Sequence, residues 1–143
     1  MNDVQSKVVP ENKVVVPISE EWHIARALRT AKSVAHAAGL TEVAVYSVAT
    51  SVSELANNIF FHSRSGGAIT INVLKQTGRS GVEIIAEDTG RGIADIDLAM
   101  QDGHTTNGGL GGGLPGVERL MDEFEINSTV DVGTRIVARK WRQ

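Results

Sequence analysis

The sequence predicts an α+β fold, a two-layer sandwich with about five strands in one layer and three helices in the other. Three observations carry that expectation. Helical periodicity dominates two consecutive stretches before residue 64, while the strand-like runs stand apart from them. The resulting order is strand, two helices, hairpin, helix, hairpin. The chain has 143 residues, 41% of them hydrophobic and 22% charged, which suits one globular domain able to bury a core. No internal repeat or linker divides it. Residues 1–12 are polar, unpatterned and contain Pro10, so a flexible tail is expected there and one domain over residues 13–143.

Lys13-Val14-Val15-Val16 reads as a short strand, and Pro17, which has no N–H for the ladder, is expected to stop it. Ser19 stands where it can cap a helix whose first turn carries Glu20 and Glu21, charges favoured at that end. Ile24, Leu28, Ala31, Ala35 and Ala38 recur at helical spacing, and Gly39 is a suitable terminator. Thr41 is expected to cap a longer helix with the core stripe Val48, Val52, Leu55 and Ile59. At roughly 100° per residue, Ser47, Ser51, Glu54 and Asn58 project along one edge of that stripe, with Asn57 on the opposite side. A polar row of this kind is either a solvated flank or the wall of a cleft.

Past the Ser65-Gly66-Gly67 turn, Ile69, Ile71 and Val73 alternate with Thr70 and Asn72 as in a half-buried strand. Residues 76–81 form a polar connection to a hairpin partner at residues 82–86. That strand ends in Glu87-Asp88, and Thr89-Gly90-Arg91-Gly92-Ile93 follows. The acid therefore sits at a strand tip, with glycines behind it that let the backbone approach a ligand closely. Residues 94–108 are mostly polar. The run Gly108-Gly109-Leu110-Gly111-Gly112-Gly113 then opens a third helix, with Leu114, Val117, Met121 and Phe124 at helical spacing and Pro115 near its first turn. Glu125-Ile126-Asn127-Ser128 and residues 134–140 read as a final hairpin around Val132-Gly133.

Composition removes several function classes. With no cysteine there is no disulfide scaffold, thiolate metal site or cysteine nucleophile, a usage that suits a cytoplasmic protein. A net charge of −3 gives no general attraction to nucleic acid, and 4% aromatic residues supply few stacking platforms. No apolar leader core or membrane-length apolar run is expected to direct the chain to a membrane. His23, His36, His62 and His104 lack metal-ligand spacing, and His62 falls near the core stripe, where a structural role is expected.

Taken alone, Asp88-Thr89-Gly90 is either a strand-to-loop turn or the triplet of an aspartic protease, although the helical patterns contradict the all-β build of small dimeric proteases. Gly111-x-Gly113-x-x-Gly116 has dinucleotide-binding spacing, but His104-Thr105-Thr106-Asn107 stands where a buried strand would be needed. No glycine run ends in Gly-Lys-Ser/Thr, and signatures of eukaryotic-type protein kinases are missing. Glycines before a helix N-terminus do offer free N–H groups where the helix dipole favours phosphate.

Four sequence boxes point to one scheme. Glu54-Leu55-Ala56-Asn57-Asn58-Ile59-Phe60-Phe61-His62 resembles the N-box of the GHKL ATPase/kinase superfamily. Asp88-Thr89-Gly90-Arg91-Gly92 is similar to its Asp-x-Gly-x-Gly box, Gly109-Leu110-Gly111-Gly112-Gly113-Leu114 to its second glycine box, and Gly133-Thr134 to its late Gly-Thr pair. The boxes occur in the family order and the resemblance covers roughly residues 13–142. Within the superfamily, residues 111–126 and the short Gly-Thr hairpin look most like the RsbT-type serine/threonine switch kinases of bacterial stress signalling, relatives of anti-sigma-factor kinases.

This resemblance implies a Bergerat-type sandwich with a mixed, mostly antiparallel sheet and three main helices on one face. It implies ATP and Mg²⁺ as cofactors. Asp88 would accept a hydrogen bond from the adenine amino group, Gly90 and Gly92 with Ile93 would let the base lie against the loop, and Thr134 would touch the adenine side. Asn58 would ligate Mg²⁺, and Glu54 would accept the proton of a hydroxyl nucleophile. Residues 94–108 would be a short lid. Gly109, Gly111 and Gly113 would hold the phosphates, with Leu110, Gly112 and Leu114 in the same cofactor-binding segment. Arg91 would either contact phosphate or remain solvated. The implied partner is a STAS-domain antagonist or scaffold bearing the phosphorylated Ser/Thr, with an output regulator such as a serine phosphatase downstream. Neither nucleic acid nor membrane is implied. A nucleotide-holding anti-sigma or partner-switch module that works mainly by binding is the alternative. A two-component histidine kinase is not expected, because the chain leaves no room for a phosphoacceptor-histidine dimerisation domain.

Overall fold

The computed structural model describes residues 8–63, 65–90, 92–93, 99–101 and 113–142. Among them the chain forms β1 (Val9–Ile18), α1 (Glu21–Ala37), α2 (Glu42–His62), β2 (Gly67–Gln76), β3 (Arg79–Asp88), α3 (Gly113–Leu120), β4 (Glu123–Thr129) and β5 (Gly133–Trp141). The strands make one sheet in the spatial order β1-β2-β3-β5-β4, and every pairing between neighbours is antiparallel. The sheet is therefore more regular than the mixed one expected. Two antiparallel helices return the chain to the end of the sheet where β2 must begin. On the other side, β5 inserts between β3 and β4.

Alternation decides which face of the sheet is covered. Val16 and Ile18, Ile69, Ile71 and Val73, Val82, Ile84 and Ala86, and Ile136 and Ala138 form one buried cluster with apolar residues of all three helices. The opposite face mixes polar residues with Val15, Leu74, Ile85, Val137 and Trp141 and is not all exposed. There Glu83 is buried, accepts from Asn72 Nδ2 (3.0 Å) and pairs with Arg139 Nε (2.9 Å) across strand neighbours.

Several element ends differ from the sequence expectation. β1 starts at Val9 and runs on through Pro17, since an edge strand tolerates missing donors; it carries a register irregularity between Glu11 and Val14. Residues 9–12, read as tail, are part of that strand. The β2–β3 connection shortens to Thr77-Gly78, with Gly78 at φ +85°. The cap position of α1 is Glu20, not Ser19, and the work of capping falls to His23: its Nδ1 accepts the N–H groups of Ser19 and Glu20, each at 3.0 Å. The buried stripe of α1 is accordingly His23, Ala27, Ala31 and Ala35. Thr41 caps α2 as expected, its Oγ1 accepting from Ala44 N at 3.2 Å.

The third helix stops at Leu120, and Phe124 belongs to β4 instead. Pairing with β5 takes over from the helix there. Asp122 N–H donates to the Arg139 carbonyl (2.8 Å), and Lys140 Nζ donates to the Leu120 carbonyl left open at the helix end (2.8 Å).

Candidate functional site

A cavity of about 320 Å³ opens where the second half of α2 faces the ends of β3 and β5. From α2 it is lined by Leu55, Asn58, Ile59 and His62; from the sheet by Ala86, Asp88, Thr134 and Ile136; and from the other side by Gly92, Ile93, Ala99 and Leu114. Among the described residues most of these walls are aliphatic, and Asp88 supplies the one carboxylate. A slot of this size and character suits a flat, largely apolar ligand carrying a few polar groups.

Asp88 is the last residue of β3, the central strand. Its Oδ1 accepts the N–H of Gly90 at 2.8 Å, which folds the loop back on the strand end. The second carboxylate oxygen has no protein hydrogen-bond partner among the described residues. Two glycines hold the backbone of this strand end on either side. A Cβ at Gly67, the partner of Asp88 on β2, would lie 2.1 Å from the Glu87 carbonyl oxygen, and one at Gly133 would lie 2.2 Å from that of Asp88. Neither position admits a side chain unless the strand end moves.

The segment after Asp88 is stitched to the last hairpin. Gly92 has φ +74° and a Cβ there would meet the Thr129 carbonyl oxygen at 2.3 Å. Ile93 N–H donates to Ser128 Oγ (2.6 Å), and that hydroxyl lies 2.7 Å from Thr134 Oγ1. Ser128 thus ties the Ile93 wall of the cavity to the Thr134 wall.

Glu54 sits one helical turn before Asn58 on α2 and does not line the cavity. It is only 3% exposed, and its Oε1 accepts the N–H of Gly113, the first residue of α3, at 2.9 Å. The polar edge expected on α2 therefore exists, but it is walled in: Ser47, Ser51 and Glu54 are buried and Asn58 is half-buried at the cavity. Asn57 points elsewhere and donates from Nδ2 to the Ser53 carbonyl at 2.8 Å.

Asn58, Asp88, Gly92, Ile93, Leu114 and Thr134 are thus gathered around one cavity, with Gly90 beside it. Glu54 and Gly113 meet each other a turn away. Gly109, Leu110, Gly111 and Gly112 lie outside the described residues, as do Arg91 and most of the expected lid. His62, expected to be structural, is the last residue of α2, where it is exposed and lines the cavity. Ser128 and Gly67 escaped the sequence reading. Ser128 continues the inward alternation of Phe124 and Ile126, so a polar residue at an inward position was the available signal. Gly67 gave none, since its restriction comes from a neighbouring strand.

A family model described as a histidine kinase-like ATPase domain matches residues 16–140. The chain is 47% identical over 126 residues to the serine/threonine-protein kinase RsbT of Bacillus subtilis (strain 168), an alignment covering 88% of this chain and 94% of that protein. It is 35% identical over 99 residues to an anti-sigma F factor of Clostridium novyi (strain NT), covering 65% of this chain and 68% of the relative. An anti-sigma F factor of Priestia megaterium is 37% identical over 100 residues, covering 65% and 67% respectively.

Proposed function

The chain belongs to the histidine kinase-like ATPase domain family, and from that premise we propose that it is an ATP-dependent protein serine/threonine kinase of a partner-switching module. The observation that carries this reading is the single row on α2 that puts Asn58 at the cavity and Glu54 one turn away at the start of α3. It provides a metal-ligand type and a proton acceptor on one rigid element, while β3 presents Asp88 opposite. The similarity to RsbT over nearly the whole of both chains supports the same choice.

Each residue then has a physical task. The Asp88 oxygen that has no hydrogen-bond partner among the described residues receives the adenine amino group, and Leu55, Ile59, Ala86 and Ile136 exclude water around the base. Thr134, held by Ser128, borders the same side. Asn58 would hold Mg²⁺ through its hard side-chain oxygen, and the cation would neutralise charge on the phosphates. Bound ATP supplies the γ-phosphoryl group. A substrate Ser or Thr hydroxyl oxygen bonds to the γ-phosphorus as the bond to the β–γ bridging oxygen breaks; ADP leaves with that electron pair, and the hydroxyl proton passes to Glu54. A positioned base of this kind contributes roughly 10²- to 10⁴-fold in rate, with positioning and charge neutralisation supplying the rest.

The protein substrate in this proposal is a STAS-domain antagonist or scaffold. Its phosphorylation releases the kinase to act on an output regulator such as a serine phosphatase, and the setting is cytoplasmic. Among the described residues no helix is long and apolar enough to cross a membrane. Incubation with Mg-ATP and the cognate STAS protein, followed by phosphosite mapping, tests the reading, and no transfer to that partner would overturn it. The similarity to anti-sigma F factors favours a second reading, a nucleotide-holding module that acts by binding alone. It gains the upper hand if Glu54→Gln leaves signalling intact.

A further inference from the structure

The hydroxyl of Ser128 touches three polar groups at once, and its one proton decides what its neighbour Thr134 shows to the cavity. Resting on the nucleotide reading above, we propose that Ser128 is a positioning residue for base selection. It takes up the Thr134 proton, so that Thr134 meets the ligand only as a hydrogen-bond acceptor. The slot then rejects a purine that carries an oxo group where adenine carries its amino group.

The arrangement begins in the register of the sheet. Asp88 on β3 pairs directly with Thr134 on β5, and Thr134 pairs in turn with Ser128 on β4, the edge strand. Cross-strand partners lie side by side on one face, and Asp88 and Thr134 both line the cavity. Ser128 stands behind Thr134. Its Oγ lies 2.6 Å from the Ile93 nitrogen, 3.2 Å from the Gly133 carbonyl oxygen and 2.7 Å from Thr134 Oγ1.

A hydroxyl carries one proton and two lone pairs. The Ile93 N–H can only donate and the Gly133 carbonyl can only accept, so these two engage one lone pair and the proton of Ser128. The second lone pair is left for Thr134, which donates to it. Only in this assignment are all three contacts hydrogen bonds; if Ser128 donated to Thr134 instead, the Gly133 contact would have no proton. Thr134 Oγ1 has no other partner among the described residues. With its proton turned toward Ser128, it offers the cavity lone pairs alone, beside the carboxylate of Asp88. A ligand edge that meets this pair must bring donors, as an amino group with its two N–H bonds does. An oxo oxygen in the same place faces lone pairs and stays unpaired in a slot walled mostly by aliphatic side chains.

ADP and IDP share every phosphate and differ only at that edge of the base, so the ratio of their dissociation constants, measured by calorimetry, isolates the effect. Wild type should prefer ADP. Ser128→Ala frees the Thr134 proton to serve an oxo group, and the preference should fall about 10-fold, as for one buried polar group passing from unpaired to paired. Loss of the Ile93 contact weakens both nucleotides alike and cancels in the ratio, as does any loss of folded protein. Ser128→Thr keeps the hydroxyl and should keep the preference. Thr134→Val should lower it, and adding Ser128→Ala to Thr134→Val should change it no further. In the nucleotide-free protein, hydrogen exchange at the Ile93 amide should quicken about 3- to 10-fold in Ser128→Ala and stay unchanged in Thr134→Val, since only the first removes its acceptor.

Equal weakening of ADP and IDP by Ser128→Ala would reduce Ser128 to a brace for Ile93 and overturn the inference while leaving nucleotide binding intact. A wild type that binds the two equally would overturn the acceptor pair with the same result. Binding of neither would sink the nucleotide reading, and base selection with it. Ile93 exchange that does not respond to Ser128→Ala would show that the wiring is absent and overturn the inference whatever the ratio.

Discussion

Asp88→Asn replaces one oxygen by NH₂ at the end of the central strand, and should remove adenine nucleotide binding while sparing the fold. Oδ1 holds Gly90 N–H at 2.8 Å, a contact that the asparagine carbonyl oxygen can keep. The other oxygen, which faces no protein donor among the described residues, becomes a donor aimed at the adenine amino group. The loss has two parts: a hydrogen bond to a charged acceptor, about 1.5–3 kcal/mol, and a donor left unpaired in a closed slot, about 1–3 kcal/mol. Together they come to about 2.5–6 kcal/mol, roughly a 10²- to 10⁴-fold weakening. Isothermal calorimetry with an ATP analogue measures this, and urea unfolding should show stability changed by less than about 0.5 kcal/mol, as for substitutions that disturb no packing. Asp88→Ala is the control. It loses the Gly90 contact as well, so binding and the local fold should both suffer. If Asp88→Asn binds nucleotide within threefold of wild type, Asp88 does not recognise the base and the cavity has been read wrongly.

Other residues give independent tests. Ser51 Oγ is buried without a hydrogen-bond partner among the described residues, so Ser51→Ala should stabilise the protein by about 1 kcal/mol, seen as a higher urea midpoint. His23→Ala should lower stability by about 1–2 kcal/mol, because two N–H groups at the start of α1 lose their acceptor. In that case His23→Asn, with a shorter acceptor, should recover part of the loss in the same assay. Asn58→Ala should leave metal-free nucleotide binding nearly unchanged and abolish the gain from Mg²⁺. Calorimetry with and without the cation separates these, and equal losses in both would count against a metal role.

The parts of the fold that were legible in the sequence are those governed by periodicity. The α2 stripe Val48, Val52, Leu55 and Ile59 is buried as its spacing requires, and Asp88 does end a strand. What escaped depended on contacts between distant segments. Helical spacing ran from Leu114 to Phe124, but the last part of that run was claimed by β5, whose Arg139 and Lys140 lie far along the chain. His23 resembled any other histidine until its ring was seen folded back over Ser19 and Glu20. At the site, the boxes include several residues that line one cavity among the described residues, yet nothing in the order of residues indicated that Glu54 would be turned toward Gly113. That is a property of how α2 and α3 approach each other. Local patterns do not encode it.

The first strand has a consequence for behaviour in solution. β1 lies at the margin of the sheet, and Val9 (44%) and Val15 (50%) on it are substantially exposed. An open, valine-rich margin is a template on which another chain can add a strand. Pro10 and Pro17 withhold donors from that margin, Lys13 places a charge on it, and the irregularity between Glu11 and Val14 breaks the straight run that a docking strand would need. The prolines that made this stretch look unsuited to a strand are thus what allow it to be one safely. Replacing both with valine should cost little in the folded monomer and a great deal in solubility.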